Sequence, residues 1–121
     1  MTGKFSVVGT INVGLPCGKS VTIKSDGRDF IGSRLSWRGL NVHEPETIDL
    51  FVHLLPRMKI LFDVGANIGL FSLIAGAINR KIEIHAFEPV PEMFTSMLCN
   101  IASNNLTNVE AVRACVADYD G

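Results

Sequence analysis

The stretch FDVGANIG (62–69) decides the fold of this chain, because it joins an apolar strand to a helix through a bend that holds two glycines. Apolar residues dominate MKILFDV (58–64), which is typical of a buried parallel strand. Gly65 lets the chain turn sharply off that strand, and Gly69 lets the following helix start close to a ligand. In an open parallel sheet, such a junction at the carboxyl end of a strand is where ligands bind.

Strands and helices alternate after this bend. GLFSLIAGAIN (69–79) and PEMFTSMLCNIASN (91–104) carry apolar residues at helical spacing, whereas IEIHAF (82–87) and NVEAVRACV (108–116) are typical of strands. A strand–helix–strand–helix–strand order implies parallel pairing through right-handed crossovers. The sequence therefore predicts an α/β fold: a Rossmann-like parallel sheet, incomplete, with about three core strands.

The residues before the bend predict a helix and a small β segment. EPETIDLFVHLL (44–55) has apolar residues at helical spacing. Apolar residues alternate from Phe5 to Val13, which is typical of a half-buried strand. VTIK (21–24) is followed by the turn-rich segment SDGRD (25–29) and then by FIGSRL (30–35). This order predicts a hairpin between VTIK and FIGSRL.

Polar side chains surround the predicted bend at the carboxyl ends of the strands. Asp63 ends the first strand and can reach a cationic amino group directly or through water, and Asn67 offers both a donor and an acceptor. Glu88 lies at the tip of the second strand, about 20 residues beyond the bend, where a carboxylate can accept both ribose hydroxyls of an adenosine. Asp118, past the third strand, is a candidate acceptor for the adenine amine. The pattern predicts a site for an adenosine without phosphate.

Five segments carry a family resemblance, namely HEPET (43–47), FDVGANIGLFS (62–72), HAFEPVPEMF (85–94), NIASNNLTNV (100–109) and CVADYDG (115–121). Together they resemble the FkbM family of class I methyltransferases. The resemblance implies a Rossmann-like fold, S-adenosylmethionine as the methyl donor, and O-methylation of a small molecule or a sugar hydroxyl.

The resemblance also implies which residues contact the cofactor. The bend would hold the methionine part, Glu88 the ribose and Asp118 the adenine. The full predicted set is Asp63, Gly65, Ala66, Asn67, Gly69, Glu88 and Asp118. In such a domain the chain continues through a fourth strand and beyond, where the acceptor-binding residues and any general base lie. No residue of this chain is therefore assigned as the catalytic base. We therefore expect a truncated chain, with an N-terminal β cap over 1–40 and a partial S-adenosylmethionine-binding domain over 41–121.

Two alternatives stay open beside methyl transfer. An NAD(P)-binding oxidoreductase shares the strand, the bend and the acid, but it expects GxGxxG, and residues 65–70 read GANIGL. A non-catalytic cofactor-binding fragment shares every motif. Three parallel strands with two crossover helices leave one sheet edge uncovered, so we expect marginal stability and an oligomer contact or a partner at that edge.

Composition and charge disfavour other partners. The 121 residues include 11 Lys and Arg, the net charge is -1, and no basic stripe suggests nucleic acid. The most apolar stretch, 60–78, is interrupted by Asp63 and Asn67, which disfavours a membrane span.

Cysteines and histidines predict neither a disulfide framework nor a metal site. Cys17, Cys99 and Cys115 are odd in number and widely spaced, which favours a reducing compartment and hence a cytoplasmic location. The three histidines lack metal-ligand spacing. PCGKS (16–20) has too few residues between its glycines for a phosphate loop.

Overall fold

The computed structural model describes residues 8–26 and 45–118, which form a hairpin, a parallel sheet and three α-helices. The strands are β1 (Val8–Gly14), β2 (Ser20–Asp26), β3 (Ile60–Val64), β4 (Glu83–Phe87) and β5 (Val109–Val112). The helices are α1 (Pro45–Leu54), α2 (Leu70–Ile78) and α3 (Pro91–Ser103), and a 3-10 turn (Leu55–Arg57) follows α1.

The sheet has the order β3-β4-β5, and both pairs are parallel, with α2 and α3 as the crossover helices. This confirms the predicted α/β fold with a Rossmann-like parallel sheet and a small N-terminal β segment. The third strand lies within the predicted segment 108–116 and ends at Val112. The N–H of Ala114 donates to the carbonyl of Val112 at 3.0 Å, so a tight turn takes the backbone out of the strand ladder there.

The hairpin pairs VTIK with the preceding strand. Residues of β1 and β2 pair antiparallel, with Ile11 opposite Ile23. The first four residues of PCGKS lie in the connecting turn, which the N–H of Leu15 closes on the carbonyl of Lys19 at 2.7 Å, and Ser20 begins β2. FIGSRL, the predicted partner, lies outside the described residues. The turn-rich segment was predicted to begin at residue 25, but the ladder with β1 continues through Ser25 and Asp26, so these two residues belong to β2.

One hydrophobic core joins the hairpin to the sheet. The inward side chains Val13, Val21 and Ile23 are buried in the same cluster as Leu73 and Ile74 of α2. Each such side chain contributes ~1.5–3 kcal/mol when it is removed from water. Helix α2 is accordingly apolar except for Ser72, because it is covered by the sheet on one side and the hairpin on the other. The predicted boundary at residue 40 lies outside the described residues.

The face of β3 that carries Ile60, Phe62 and Val64 is exposed, and Phe62 keeps 63% of its surface accessible. Its ring stacks on the imidazole of His85 at 5.4 Å between centroids. The imidazole lies in turn between the carboxylates of Glu83, at 2.7 Å, and Glu110, at 3.3 Å. Parallel sheets are normally covered on both faces, so this apolar row is a candidate contact surface.

Three further observations concern membrane spans, metal sites and cysteines. No helix in residues 8–26 and 45–118 has the length and apolar character to cross a bilayer. The same residues contain no group of three or more metal-ligating side chains arranged to hold an ion. All three cysteines are exposed and unpaired.

We expect the exposed face of β3 to drive self-association. The double substitution Ile60→Ser and Phe62→Ser should reduce association measured by sedimentation velocity over a concentration series, because it removes most of the apolar row. Leu98→Ser is the matched control, since Leu98 is 45% exposed on helix α3. An equal effect from the control, or a wild-type chain that stays monomeric throughout, would contradict the expectation.

Candidate functional site

The bend after β3 is held against the end of β4 by its own backbone. The N–H of Ala66 donates to the carbonyl of Phe87 at 2.9 Å, which extends the contact between the two strands by one step. The N–H of Gly69 then donates to the carbonyl of Ala66 at 2.8 Å and closes the turn. Helix α2 begins directly afterwards at Leu70. The bend is therefore a backbone structure of defined shape.

The two glycines of the bend are needed for different reasons. Both have positive φ, +70° at Gly65 and +90° at Gly69, where side chains are disfavoured. A Cβ on Gly65 would meet no atom within 4 Å, whereas a Cβ on Gly69 would lie 2.9 Å from Cγ of Met97. Gly65 therefore borders open space, and Gly69 makes room for helix α3, a reason that the sequence did not reveal.

Glu88 is 5% exposed, and its carboxylate faces the bend. Oε1 accepts from the N–H of Asn67 and Oε2 from the N–H of Val90, both at 2.8 Å. Its own N–H donates to the carbonyl of Val112 in β5 at 3.1 Å. Charge-assisted bonds of this kind are about twice as strong as neutral ones, so this acid ties the bend to the tips of two strands.

Asp63 lies at the same edge, beside the start of α2. Its Oδ2 accepts from the hydroxyl of Ser72 at 2.7 Å. Burial raises the pKa of the Asp63 carboxyl above its ordinary value of 3.8, hydrogen bonds from Ser72 oppose that rise, and the nearby Glu88 carboxylate adds to it. Two acids thus share one poorly hydrated region, an arrangement that suits a cationic group of a ligand.

Asn67 has a side-chain acceptor without a partner. Its φ of +57° is one that asparagine tolerates better than most residues. Within the described part of the chain, Oδ1 of Asn67 is buried and accepts no hydrogen bond. Buried polar atoms are nearly always paired, so Oδ1 of Asn67 is an unsatisfied acceptor beside the bend and the two carboxylates.

The other two predicted contacts lie differently. The side chain of Ala66 is buried against Ala86 and Met97, so only its backbone belongs to the bend. Asp118 is exposed and lies beyond the end of β5. The structure thus brings together the bend, Asp63 and Glu88, and the adenine contact of Asp118 stays a prediction.

Two polar residues of the site had no role assigned from sequence. Ser72 is fully buried on helix α2 and supports Asp63. Asn100 is fully buried on α3 and donates to the carbonyl of Ile68 in the bend at 3.0 Å. In the sequence, each is a polar residue on the apolar face of a predicted helix. That pattern does not predict which atoms the side chain bonds.

Similar proteins support the sequence resemblance. No family model matches the chain. Over 41 residues it is 46% identical to 31-O-demethyl-FK506 methyltransferase FkbM of Streptomyces tacrolimicus, and this match covers 34% of this chain and 16% of that protein. Over 68 residues it is 37% identical to methyltransferase sdnD of Sordaria araneosa, and this match covers 55% of this chain and 26% of that protein. The matched part is thus about a quarter, or less, of either relative's length.

A solved structure agrees with the fold. P. horikoshii TYW2 in complex with MeSAdo superposes with a TM-score of 0.59 at 19% identity, over 97% of this chain and 40% of that chain. At that identity the match shows the fold alone. The resemblance to FkbM methyltransferases and the Rossmann-like architecture are both confirmed.

We expect Gly69→Ala to destabilise the chain more than Gly65→Ala. Both variants place a side chain at positive φ, which costs about 1–2 kcal/mol. Only Gly69→Ala also forces a Cβ against Met97, and overpacking of this kind adds roughly 1–3 kcal/mol. Urea denaturation of both variants measures the difference in unfolding free energy. Equal losses would show that Met97 moves aside without cost.

Asp63→Asn should raise the melting temperature of the free protein at neutral pH. Because burial raises the pKa of this carboxyl in the folded chain, ionisation destabilises the folded form. That effect begins as the pH rises past the unfolded value of 3.8 and is complete above the folded pKa. The gain measured by thermal melts should therefore shrink as the pH is lowered toward about 4.

Ser72→Ala is the control for this substitution. It removes the hydroxyl that stabilises the Asp63 carboxylate, so it should lower the melting temperature most at neutral pH. If Asp63→Asn melted below the wild type at neutral pH, the buried charge would not be the dominant effect.

Proposed function

We propose that this chain forms the cofactor-binding part of an S-adenosylmethionine-dependent methyltransferase. The observation that carries the proposal is the 2.8 Å hydrogen bond from the N–H of Asn67 to the carboxylate of Glu88, which joins the bend to the acid at the neighbouring strand tip. The curated relatives with significant identity are named as methyltransferases, which supports the same reaction class.

The residues present fit this cofactor. A carboxylate has about four acceptor sites, and Glu88 uses two of them on backbone N–H groups, which leaves acceptors for a ribose diol. Asp63 offers a negative charge to the amino group of the methionine part, and such a cation would lower the raised pKa of its carboxyl. Open space at Gly65 and the unpaired Oδ1 of Asn67 complete the fit. We assign the adenine contact to Asp118.

The chain's own contribution to the reaction is alignment. When bound, S-adenosylmethionine supplies a methyl group that its positively charged sulfur has already activated. The bend and the two acids would hold the donor in one orientation toward an acceptor, and such positioning contributes ~7–11 kcal/mol to the lowering of a barrier. No described residue is assigned as the base that takes the proton of the acceptor.

A nicotinamide cofactor fits the geometry less well. Its pyrophosphate needs free backbone N–H groups at the bend, but the N–H of Asn67 already donates to Glu88. The carboxylate of Asp63, beside the bend, would also repel phosphate groups. A nucleoside without phosphate avoids both problems.

The acceptor and the setting are further parts of the proposal. The name of the FkbM relative describes methylation at an oxygen of a small molecule, which supports a hydroxyl of a small molecule or sugar as the acceptor here. Exposed, unpaired cysteines favour a reducing compartment such as the cytoplasm. A second copy or a partner would cover the exposed face of β3.

Binding of S-adenosylhomocysteine, measured by calorimetry on the intact chain, tests the proposal. The wild type should bind it, and Glu88→Gln should weaken binding roughly tenfold or more, because hydrogen bonds to a charged group are worth about 1.5–3 kcal/mol. Glu83→Gln is the matched control, since Glu83 is an exposed acid on strand β4 and lies outside the bend.

Thermal shift with NADH separates the alternatives. Stabilisation by S-adenosylhomocysteine and not by NADH supports the proposal. Stabilisation by NADH alone would favour the oxidoreductase instead. Equal affinity of Glu88→Gln and the wild type for S-adenosylhomocysteine would show that Glu88 does not contact the ligand, provided that thermal melts show both proteins folded.

A further inference from the structure

Two asparagines one turn apart, Asn100 on helix α3 and Asn104 directly after its last residue, bind backbone groups of other elements. They lie at positions i and i+4, and the N–H of Asn104 still donates to the carbonyl of Asn100 at 3.2 Å, so both side chains project from the same face at the end of the helix. That face meets the outer edge of β2, where Thr22 and Lys24 present backbone groups away from β1. The two side chains therefore cap a strand edge that would otherwise be unpaired.

Asn104 contacts the hairpin and its own helix. Its Oδ1 accepts from the N–H of Thr22 and its Nδ2 donates to the carbonyl of Thr22, both at 2.7 Å. Nδ2 also donates to the carbonyl of Asn100 at 2.7 Å. None of these bonds reaches the bend.

Asn100 joins the hairpin to the bend. Its Oδ1 accepts from the N–H of Lys24 at 2.8 Å, and its Nδ2 donates to the carbonyl of Ile68 at 3.0 Å. Asn100 and Ile68 are both fully buried, so the carbonyl of Ile68 has no water as a substitute for this bond.

The bond to Ile68 continues into the site. The peptide group between Ile68 and Gly69 is held at both ends, because its carbonyl accepts from Asn100 and its N–H donates to the carbonyl of Ala66. The peptide group between Ala66 and Asn67 is held likewise, since its N–H donates to Glu88. Hydrogen bonds therefore run without a break from Asn100 through two peptide groups to the carboxylate of Glu88.

We propose that Asn100 is a positioning residue for the cofactor site. It fixes the peptide plane after Ile68, and through it the direction of the Asn67 N–H that orients Glu88, with the hairpin as its anchor. This inference rests on the proposed function for the identity of the ligand. The geometry of the hydrogen-bonded chain does not depend on that function.

Asn100→Ala and Asn104→Ala form a matched pair for the test. Each removes one amide from the same helix face and frees backbone groups of β2, so both should lower the melting temperature. Only Asn100→Ala releases Ile68. We expect it to weaken S-adenosylhomocysteine binding roughly tenfold, and Asn104→Ala to weaken it by less than about threefold. Equal losses of affinity, or wild-type affinity in Asn100→Ala, would overturn the proposal.

Hydrogen exchange without ligand gives a second measurement. The amides of Asn67 and Gly69 should lose protection in Asn100→Ala and keep it in Asn104→Ala. If the wild type did not bind S-adenosylhomocysteine, the proposed function would fail, but this contrast would still test the positioning role. If Asn100→Ala did not fold, Asn100→Ser, whose hydroxyl can serve one of the two partners, would be measured in its place, with the same outcomes deciding.

Discussion

The carboxylate of Glu88 accepts from the backbone N–H groups of Asn67 and Val90, and the rest of the carboxyl edge of the sheet is arranged around these two bonds. Both oxygens are engaged, so the side chain cannot rotate without losing a charge-assisted bond. The contact from Ala66 to Phe87 places the bend along β4, and Glu88 fixes its orientation. The start of α2 follows from where the bend is held, and Asp63 lies beside it because β3 pairs with β4 up to Val64.

Holding the Asp63 carboxylate at this edge is unfavourable for the folded chain by itself. Burial raises the pKa of Asp63, and the neighbouring Glu88 adds to the effect. Ser72 compensates only in part, through its hydrogen bonds. A positively charged ligand group would offset the unfavourable buried charge, so binding of such a group would also stabilise the fold.

Helix α3 provides the frame for the same edge, with apolar and polar contacts one turn apart. Met97 occupies the space that Gly69 leaves open, and Asn100 holds the carbonyl of the residue before that glycine. A buried amide satisfies backbone groups only in one orientation, whereas apolar packing tolerates several. The polar face of α3 therefore specifies how the hairpin and the bend sit on the sheet.

The sequence by itself determined the alternation of three parallel strands with helices, because apolar periodicity and a glycine bend are local signals. It also determined that Asp63 and Glu88 meet, since parallel strands bring their carboxyl ends to one edge. Only the tertiary structure decided the strand that pairs with VTIK, the end of β5 and the role of Asn100. These depend on atoms far apart along the chain, such as Lys24 and Asn100, which are separated by 76 positions, and no local pattern encodes such a meeting.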